Sequence, residues 1–177
     1  PHTISVTEAT AGSGTATEAH AITASGPAFF SNVDNYAGGV VPVSTDTLNI
    51  DRPVSLLYDI DQNAITLAEL NFLPGMTSTS LVGLPFRNAG GYEEYREDEF
   101  KISSTLVNCR AASARIKLNV GSALCTCNVF STGNSAESNR RAFQWQGAHA
   151  SNVFNHYGGD AGIGANGETT TVLTVRQ

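Results

Sequence analysis

The sequence has few charged residues and almost no lysine. Charged side chains make up 15% of the 177 residues, against about 25% in an average soluble domain, and Lys101 and Lys117 are the only lysines. Helix surfaces are usually built from Glu, Lys, Arg and Leu, so this composition disfavours a helix-rich domain. The polar surface consists instead of Ser, Thr, Asn and Gly, which suit strands and tight turns.

Basic charge and long apolar runs are also lacking. The formal net charge of −6 repels phosphate backbones, which disfavours nucleic acid as a partner. No apolar run approaches the ~20 residues of a bilayer-spanning helix, so we expect no membrane partner. The first residues, PHTISVTEAT, have neither the basic nor the apolar region of a signal peptide, which predicts synthesis in the cytoplasm.

Cysteine is present three times, at Cys109, Cys125 and Cys127. Secreted disulfide scaffolds carry an even set of cysteines, so the odd count favours free thiols in a reducing compartment. Alternate residues of a strand point to the same face, and we therefore expect Cys125 and Cys127 to be small buried hydrophobes. None of the four histidines has zinc-ligand spacing to this pair.

Two short motifs have the outline of a ligand-binding loop but lack its essential residues. Residues 162–167 spell GxGxxG, yet a dinucleotide site also requires a helix after the motif and an acidic residue about twenty positions further on, and the residues that follow, TTTVLTV, provide neither. Residues 59–63 open like a calcium loop, but Ala64 replaces the glycine and Leu70 the bidentate glutamate. We predict no cofactor and no metal site. A looser cation site at 59–63 is the alternative to a polar corner.

Catalytic motifs are missing as well. The sequence contains no GxSxG, HExxH or GxxxxGK[ST]. Ser151, His149, His156 and Asp160 are neighbours in sequence without the arrangement of a triad, and no pair of carboxylates is placed as a glycosidase needs. We expect no enzymatic activity. The acidic segment 93–99 is interpreted as a solvated loop, with a cation or a basic partner surface as the alternative.

Short apolar-rich runs separated by turn residues extend through the chain from residue 47. None is long or periodic enough to predict a helix, and the nearest candidate, Ala64 to Leu70, also alternates as a strand. We therefore predict an all-β fold with these strands: TLNI (47–50), VSLLYDI (54–60), ITLAELNFL (65–73), FKISSTLV (100–107), ARIKLNV (114–120), CTCNVF (125–130), AFQWQ (142–146), NVFNHY (152–157) and TTVLTV (170–175).

The spacing of these runs indicates a repeat. Towards the C-terminus a pair of strands recurs roughly every 20 to 25 residues, a repeat length typical of solenoids, and the word Asn-Val-Phe occurs at 128–130 and again at 152–154. Strands joined by Gly, Asn and Ser corners without helices predict a short β-helix or solenoid-like body. An antiparallel β-sandwich is the alternative.

The N-terminal residues differ from the rest of the chain. Residues 1–28 contain few sizeable apolar side chains and do not bury enough surface to fold alone. We predict an extended arm over 1–28 and a β-rich body over 29–177. Within the arm, Thr3, Ile4, Ser5, Val6 and Thr7 alternate as a strand, and these five residues are the predicted partner-binding site, adding a strand to a neighbour's edge.

Three segments carry a resemblance to a known class of proteins. They are NYAGGVVPVSTDTLNIDRPVSLLYDIDQNAITLAELNFLPG (35–75), RIKLNVGSALCTCNVFSTG and HASNVFNHYGG. With their pattern of strand, Gly/Asn corner and strand, they resemble small β-solenoid proteins of tailed-phage virions, which include head decoration (cement) proteins and the stems of spike proteins. The chain is shorter than glycan-degrading spikes and lacks their carboxylate pairs.

The resemblance implies a structural function. It implies a homotrimer seated on the outside of a capsid, made in the host cytoplasm, whose arm contacts the major capsid protein and which stabilises contacts between capsid subunits without enzymatic activity. The alternative is a carbohydrate-binding or receptor-binding module of a tail spike or fibre. In that case exposed aromatic rings would stack on sugars, the candidates being Tyr92, Tyr95, Trp145 and Tyr157.

Overall fold

The computed structural model describes residues 19–22, 29–83, 99–111, 113–132, 142–164 and 173–176. This part of the chain contains no α-helix, only a short 3-10 turn at Val33–Asn35. It forms twelve strands: β1 (Ala19–Ala21), β2 (Thr47–Ile50), β3 (Ser55–Leu56), β4 (Asp61–Phe72), β5 (Leu81–Val82), β6 (Phe100–Cys109), β7 (Arg115–Asn119), β8 (Thr126–Val129), β9 (Phe143–Gln146), β10 (Asn152–His156), β11 (Ala161–Ile163) and β12 (Leu173–Arg176).

The strands form two stacks, here called column A and column B. All pairings between these named strands are parallel. Column A is β1, β2, β4, β6, β8, β10 and β12 in that order, and column B is β3, β5, β7, β9 and β11. The first residues of β6 also pair with the end of β7, which joins the columns into one sheet. The predicted all-β class is confirmed. The antiparallel sandwich is wrong, because its strands would pair antiparallel.

The chain coils between the two columns, and each pass places a strand beside the one before it. Glu69 lies beside Thr47, 22 residues earlier, and Thr126 beside Leu106, 20 residues earlier. Two longer passes of 37 and 27 residues contain the segments 84–98 and 133–141, which lie outside the described residues. This parallel arrangement is compatible with the predicted solenoid.

Alternation of apolar and polar residues directs one side of each strand to the interior. In column A one inward row consists of Leu48, Leu70, Val107, Cys127 and Phe154, each paired in register with the next and at most 1% exposed. A buried side chain of the Val, Leu or Phe type contributes about 1.5–3 kcal/mol. The stacked rows are therefore the main source of stability.

The two columns pack against each other across this interior. Leu56, Val82, Ile116 and Phe143 form the facing row of column B, and all are at most 2% exposed. The Phe143 ring also contacts the Phe72 ring of column A edge to face at 6.2 Å.

Each of the nine predicted runs overlaps a described strand, whereas the short strands β1, β5 and β11 are not among the predicted runs. The predicted strand 54–60 is reduced to Ser55–Leu56, because Asp59 adopts a positive φ of 54° that interrupts the extended backbone. The repeated Asn-Val-Phe words are not equivalent positions, since Asn128 pairs with Asn155 rather than with Asn152. The turns of the coil repeat, but the two Asn-Val-Phe tripeptides are offset from each other by three residues in the strand register.

The N-terminal residues of the described chain belong to the first turn of the coil. Strand β1, which lies within the predicted arm 1–28, pairs with β2, and Ile22 is 4% exposed. Residues 29–40 lie beside it: the Ala37 amide donates to the Ala21 carbonyl at 2.9 Å and the Tyr36 hydroxyl to the Phe30 carbonyl at 2.7 Å. The predicted partner-binding strand 3–7 lies outside the described residues, as do the rest of 1–18 and 23–28.

Candidate functional site

A ladder of asparagine side chains runs along the outer face of column A. It consists of Asn49, Asn71, Asn108, Asn128 and Asn155, half-buried residues that alternate with inward apolar side chains. Each amide nitrogen donates to the amide oxygen of the preceding asparagine, at 2.8, 3.0, 2.9 and 2.8 Å. The ladder ties five turns of the coil together from the outside.

The ladder also holds one carboxylate. The Asn108 amide nitrogen donates to Glu69 Oε1 at 2.7 Å as well as to the asparagine before it. A hydrogen bond to an ionised acceptor is stronger than one between neutral groups. Asn108 is therefore the most heavily connected rung of the ladder.

A second set of stacked side chains lies at the corner where the chain leaves column A. Arg110, Phe130 and Tyr157 occupy the same position in three successive turns, because each backbone amide donates to the carbonyl of the turn before, at 2.7, 2.9 and 2.8 Å. We call these three residues the corner stack. The parallel register of β6, β8 and β10 sets their spacing.

The side chains of the corner stack lie on top of one another. The Phe130 and Tyr157 rings are parallel within 7°, with centroids 5.1 Å apart. The Arg110 guanidinium carbon lies 4.0 Å from the Phe130 centroid, a cation–π contact. Tyr157 is 62% exposed, so the stack presents an aromatic ring to solvent.

The other aromatic residues proposed for sugar stacking do not join Tyr157. Trp145 is fully buried and packs on Phe154 with centroids 5.7 Å apart, so its predicted role on a sugar ring is wrong. Among the described residues its buried indole N–H has no hydrogen-bond partner of standard geometry, although the Cys125 thiol lies close enough to interact with it. Tyr92 and Tyr95 lie outside the described residues.

The segment 59–63 is a polar turn at Asp59 that continues into the first residues of β4. The Gln62 amide donates to the Asp59 carbonyl at 2.8 Å, the Asn63 amide donates to Asp61 Oδ1, and Lys101 Nζ lies 3.0 Å from Asp61 Oδ2. Its carboxylate and amide groups thus contact each other and a lysine. Among the described residues, no three His, Cys, Asp or Glu side chains are grouped to hold a metal ion.

The histidines near Ser151 stabilise local turns. His149 Nδ1 accepts a hydrogen bond from the Ser151 backbone amide at 3.1 Å, and His156 Nε2 lies 3.2 Å from the Gly159 carbonyl oxygen. The Asp160 amide donates to the Thr132 hydroxyl at 2.6 Å. Each of these contacts ties a corner of the coil.

The remaining sequence motifs are partly described. Glu99, the last residue of the acidic segment, accepts from the Asn119 amide at 2.7 Å and lies 3.9 Å from Lys117 Nζ; residues 93–98 lie outside the described ranges. The GxGxxG motif begins in β11, with Gly164 at a φ of 81° just after the strand.

All three cysteines are buried free thiols, as the sequence predicts for the Cys125 and Cys127 pair. Burial raises the pKa of Cys109 and of Cys125 from 9.0 to about 12. It also raises the pKa of Cys127 well above 9.0, and the neighbouring Cys125 and Cys109 add to that shift. Because the thiolate is the reactive form, these side chains act as apolar packing residues.

One buried polar contact was not predicted from the sequence. His20 Nε2 lies 2.7 Å from Asp46 Oδ2, and the same oxygen accepts the Val43 backbone amide at 2.8 Å. Both side chains are almost fully buried, 2% and 7% exposed. The two residues are 26 positions apart, and only the pairing of β1 with β2 brings them together.

Within the described ranges, no helix has both the length and the hydropathy to cross a bilayer. No protein-family model matches the chain. No curated protein and no solved structure matches it either.

Proposed function

We propose that the chain is a β-solenoid that acts as a phage capsid decoration protein, binding the outer surface of the head and stabilising contacts between capsid subunits. In this proposal the protein is made in the host cytoplasm and its partners are the major capsid protein and two further copies of itself. It acts by contact alone, without a cofactor.

The observation that carries the proposal is the continuous parallel coil. Its interior rows are packed at nearly zero exposure, and its outer face is tied by amide bonds of 2.8 to 3.0 Å. Adjacent parallel strands keep a spacing of ~4.8 Å, so side chains on such a body hold fixed positions. A rigid surface of this kind binds without a large ordering cost, which suits a protein that clamps other subunits.

The predicted arm complements this body. Residues 3–7 alternate as a strand, and strand addition supplies main-chain hydrogen bonds to a partner's edge. We propose that this segment contacts the capsid subunit while the coil provides the rigid part of the contact.

The test is the location and quantity of the chain on virions. Virions purified from the strain that carries the gene are banded by density, analysed by mass spectrometry and labelled with an antibody raised against the chain. We expect stoichiometric amounts and label over the outside of the head. Absence from banded virions would contradict the proposal.

A carbohydrate-binding or receptor-binding module is the second candidate, and the exposed Tyr157 ring favours it. Label confined to the tail tip, together with binding on a glycan array, would support this alternative over capsid decoration.

A further inference from the structure

Both lysines of the chain lie next to one asparagine. Asn119 is the last residue of β7, and Lys101, at the start of β6, is its neighbour in the register where the two columns join. Lys117 lies two positions before Asn119 on the same face of β7. Lys101 and Lys117 are the only lysines of the sequence. Asn119 therefore has two amine-bearing residues as neighbours.

The side-chain amide of Asn119 is held at both of its polar atoms. Nδ2 donates to Glu99 Oε2 at 2.7 Å, and Oδ1 accepts from the Gly121 backbone amide at 2.9 Å. Gly121 has a φ of 61°, a conformation that favours glycine. A backbone N–H on a carbonyl oxygen stabilises the negative charge that develops there when a nucleophile attacks the carbon. The amide carbon of Asn119 thus has this donor already in place.

Glu99 connects the amide to a nucleophile. Its Oε1 lies 3.9 Å from Lys117 Nζ, so one carboxylate contacts both the amine and the amide nitrogen. A lysine amine becomes nucleophilic when a neighbouring base takes its proton, and holding the reacting groups together replaces a bimolecular encounter. The side chains of Lys117 and Glu99 are 21% and 16% exposed, which limits competition from water.

Lys101 has a different carboxylate and more solvent around it. Its Nζ lies 3.0 Å from Asp61 Oδ2, and the two side chains are 36% and 49% exposed. Asp61 also accepts from the amide of Asn63. Lys101 is therefore a matched control, a lysine of the same region that contacts a carboxylate in a more hydrated setting.

We propose that Lys117 and Asn119 form an intramolecular amide bond, with Glu99 as the proton carrier. Glu99 accepts a proton from the Lys117 ammonium, and Nζ attacks Asn119 Cγ. The bond from Cγ to Nδ2 then breaks, two protons of Nζ pass through Glu99 to Nδ2, and an ammonium ion leaves. The Glu99 carboxylate is regenerated, and neither an oxidant nor a cofactor is consumed. The reaction occurs once per chain and does not depend on the proposed capsid function.

Mass spectrometry of the folded full chain tests the bond. The chain is incubated at neutral pH until its mass no longer changes. We expect it to be lighter than its sequence by one ammonia. We also expect trypsin not to cleave after Lys117, because the amine is acylated, and fragmentation of the resulting peptide should place the link between Lys117 and Asn119.

Variants assign the roles of the three residues. Glu99→Gln and Lys117→Arg should both keep the full mass, since the first lacks the base and the second lacks the amine. Lys101→Arg should lose one ammonia like the parent chain. Circular dichroism and thermal unfolding verify that each variant is folded, so that a retained mass reports on the chemistry.

Two results would overturn the proposal. One is a folded parent chain that keeps its full mass. The other is an ammonia loss that persists in Lys117→Arg, which would assign the loss to Lys101 or to another asparagine. The location of the chain on virions has no influence on these masses, so the failure of either proposal leaves the other standing.

Discussion

At the scale of single residues, two described positions other than glycine have a positive φ, Thr45 and Asp59, and the more strained is Thr45. It is a β-branched residue with a positive φ of 76°, a conformation that costs about 1–2 kcal/mol for a residue with a Cβ. It sits in a tight turn in which the Asp46 amide donates to the Val43 carbonyl at 3.2 Å. Since Asp46 also holds His20, the turn positions the buried pair.

We expect Thr45→Gly to stabilise the protein. Glycine relieves the strain at φ 76° but costs about 0.5–1 kcal/mol of backbone entropy, so the expected gain in the free energy of unfolding is about 0.5–1 kcal/mol. Urea denaturation measures it. The control is Thr47→Gly in the extended strand β2, which should destabilise; a loss of stability at Thr45 as well would contradict the assigned strain.

Alkaline pH should destabilise the fold through its buried thiols. The pKa of Cys109 and of Cys125 is raised from 9.0 to about 12, so above pH 9 the unfolded chain loses these protons while the folded chain retains them. The contribution of these thiols to the free energy of unfolding is therefore fully present below pH 9 and decreases from pH 9 towards pH 12. Each thiol contributes a slope of about 1.4 kcal/mol per pH unit.

Denaturant titrations at several alkaline pH values measure this slope. Cys109→Ala should make it shallower, because one titrating group is removed. Val107→Ala, in the same strand, is also buried and should lower stability without changing the slope. Identical slopes in the parent and Cys109→Ala would show that this thiol does not contribute.

At the scale of secondary-structure elements, the asparagine ladder makes adjacent strands interdependent. The Asn108 side chain accepts from Asn128 and donates to Asn71 and Glu69, whereas the described bonds of the Asn49 side chain consist of one, accepted from Asn71. A net hydrogen bond is worth about 0.5–1.5 kcal/mol. Interior and terminal rungs of the ladder should therefore differ in their effect on stability.

We expect Asn108→Ala to destabilise by about 2–3 kcal/mol and Asn49→Ala by about 1 kcal/mol. The larger loss reflects the number of partners left without a hydrogen bond. Urea denaturation measures both, and an unchanged m-value would show that the same surface is exposed on unfolding. Equal losses at the two positions would show that the number of ladder hydrogen bonds does not determine the loss of stability.

At the scale of the whole molecule, β1 and Ile22, which lie within the predicted arm 1–28, pack against the body. Deleting residues 1–18 should leave the melting temperature nearly unchanged, because this segment contains few sizeable apolar side chains that could contribute to a core. Deleting residues 1–22 should lower it clearly, because buried Ile22 and the His20 contact with Asp46 are lost. Differential scanning calorimetry of the two truncations distinguishes them; equal melting temperatures would place β1 outside the cooperative unit.

Self-association is the second expectation at this scale. Among the described strands, β1, β3, β11 and β12 each pair on one side only, and unpaired strand edges favour association. Several large apolar side chains are exposed, among them Phe29, Val33, Val40 and Val43. We expect a homotrimer in sedimentation velocity. A stable monomer at micromolar concentration would contradict it.

The strand positions were predictable from local pattern, because alternation of apolar and polar residues is a property of neighbouring positions. The run TLNI became β2, and CTCNVF became β8 with its cysteines buried. The register was not predictable, as the misaligned Asn-Val-Phe words show. Register depends on how many residues each corner takes, and the passes vary from 20 to 37 residues.

The sequence by itself determined the all-β class, the strand runs and the apolar character of the cysteines, since composition and alternation carry that information locally. Only the tertiary structure decided which side chains meet across turns of the coil: the asparagine ladder, the His20–Asp46 contact and the corner stack of Arg110, Phe130 and Tyr157. Their members lie 20 or more residues apart. They come together because parallel pairing places every turn directly against the one before it, a juxtaposition that no local pattern encodes.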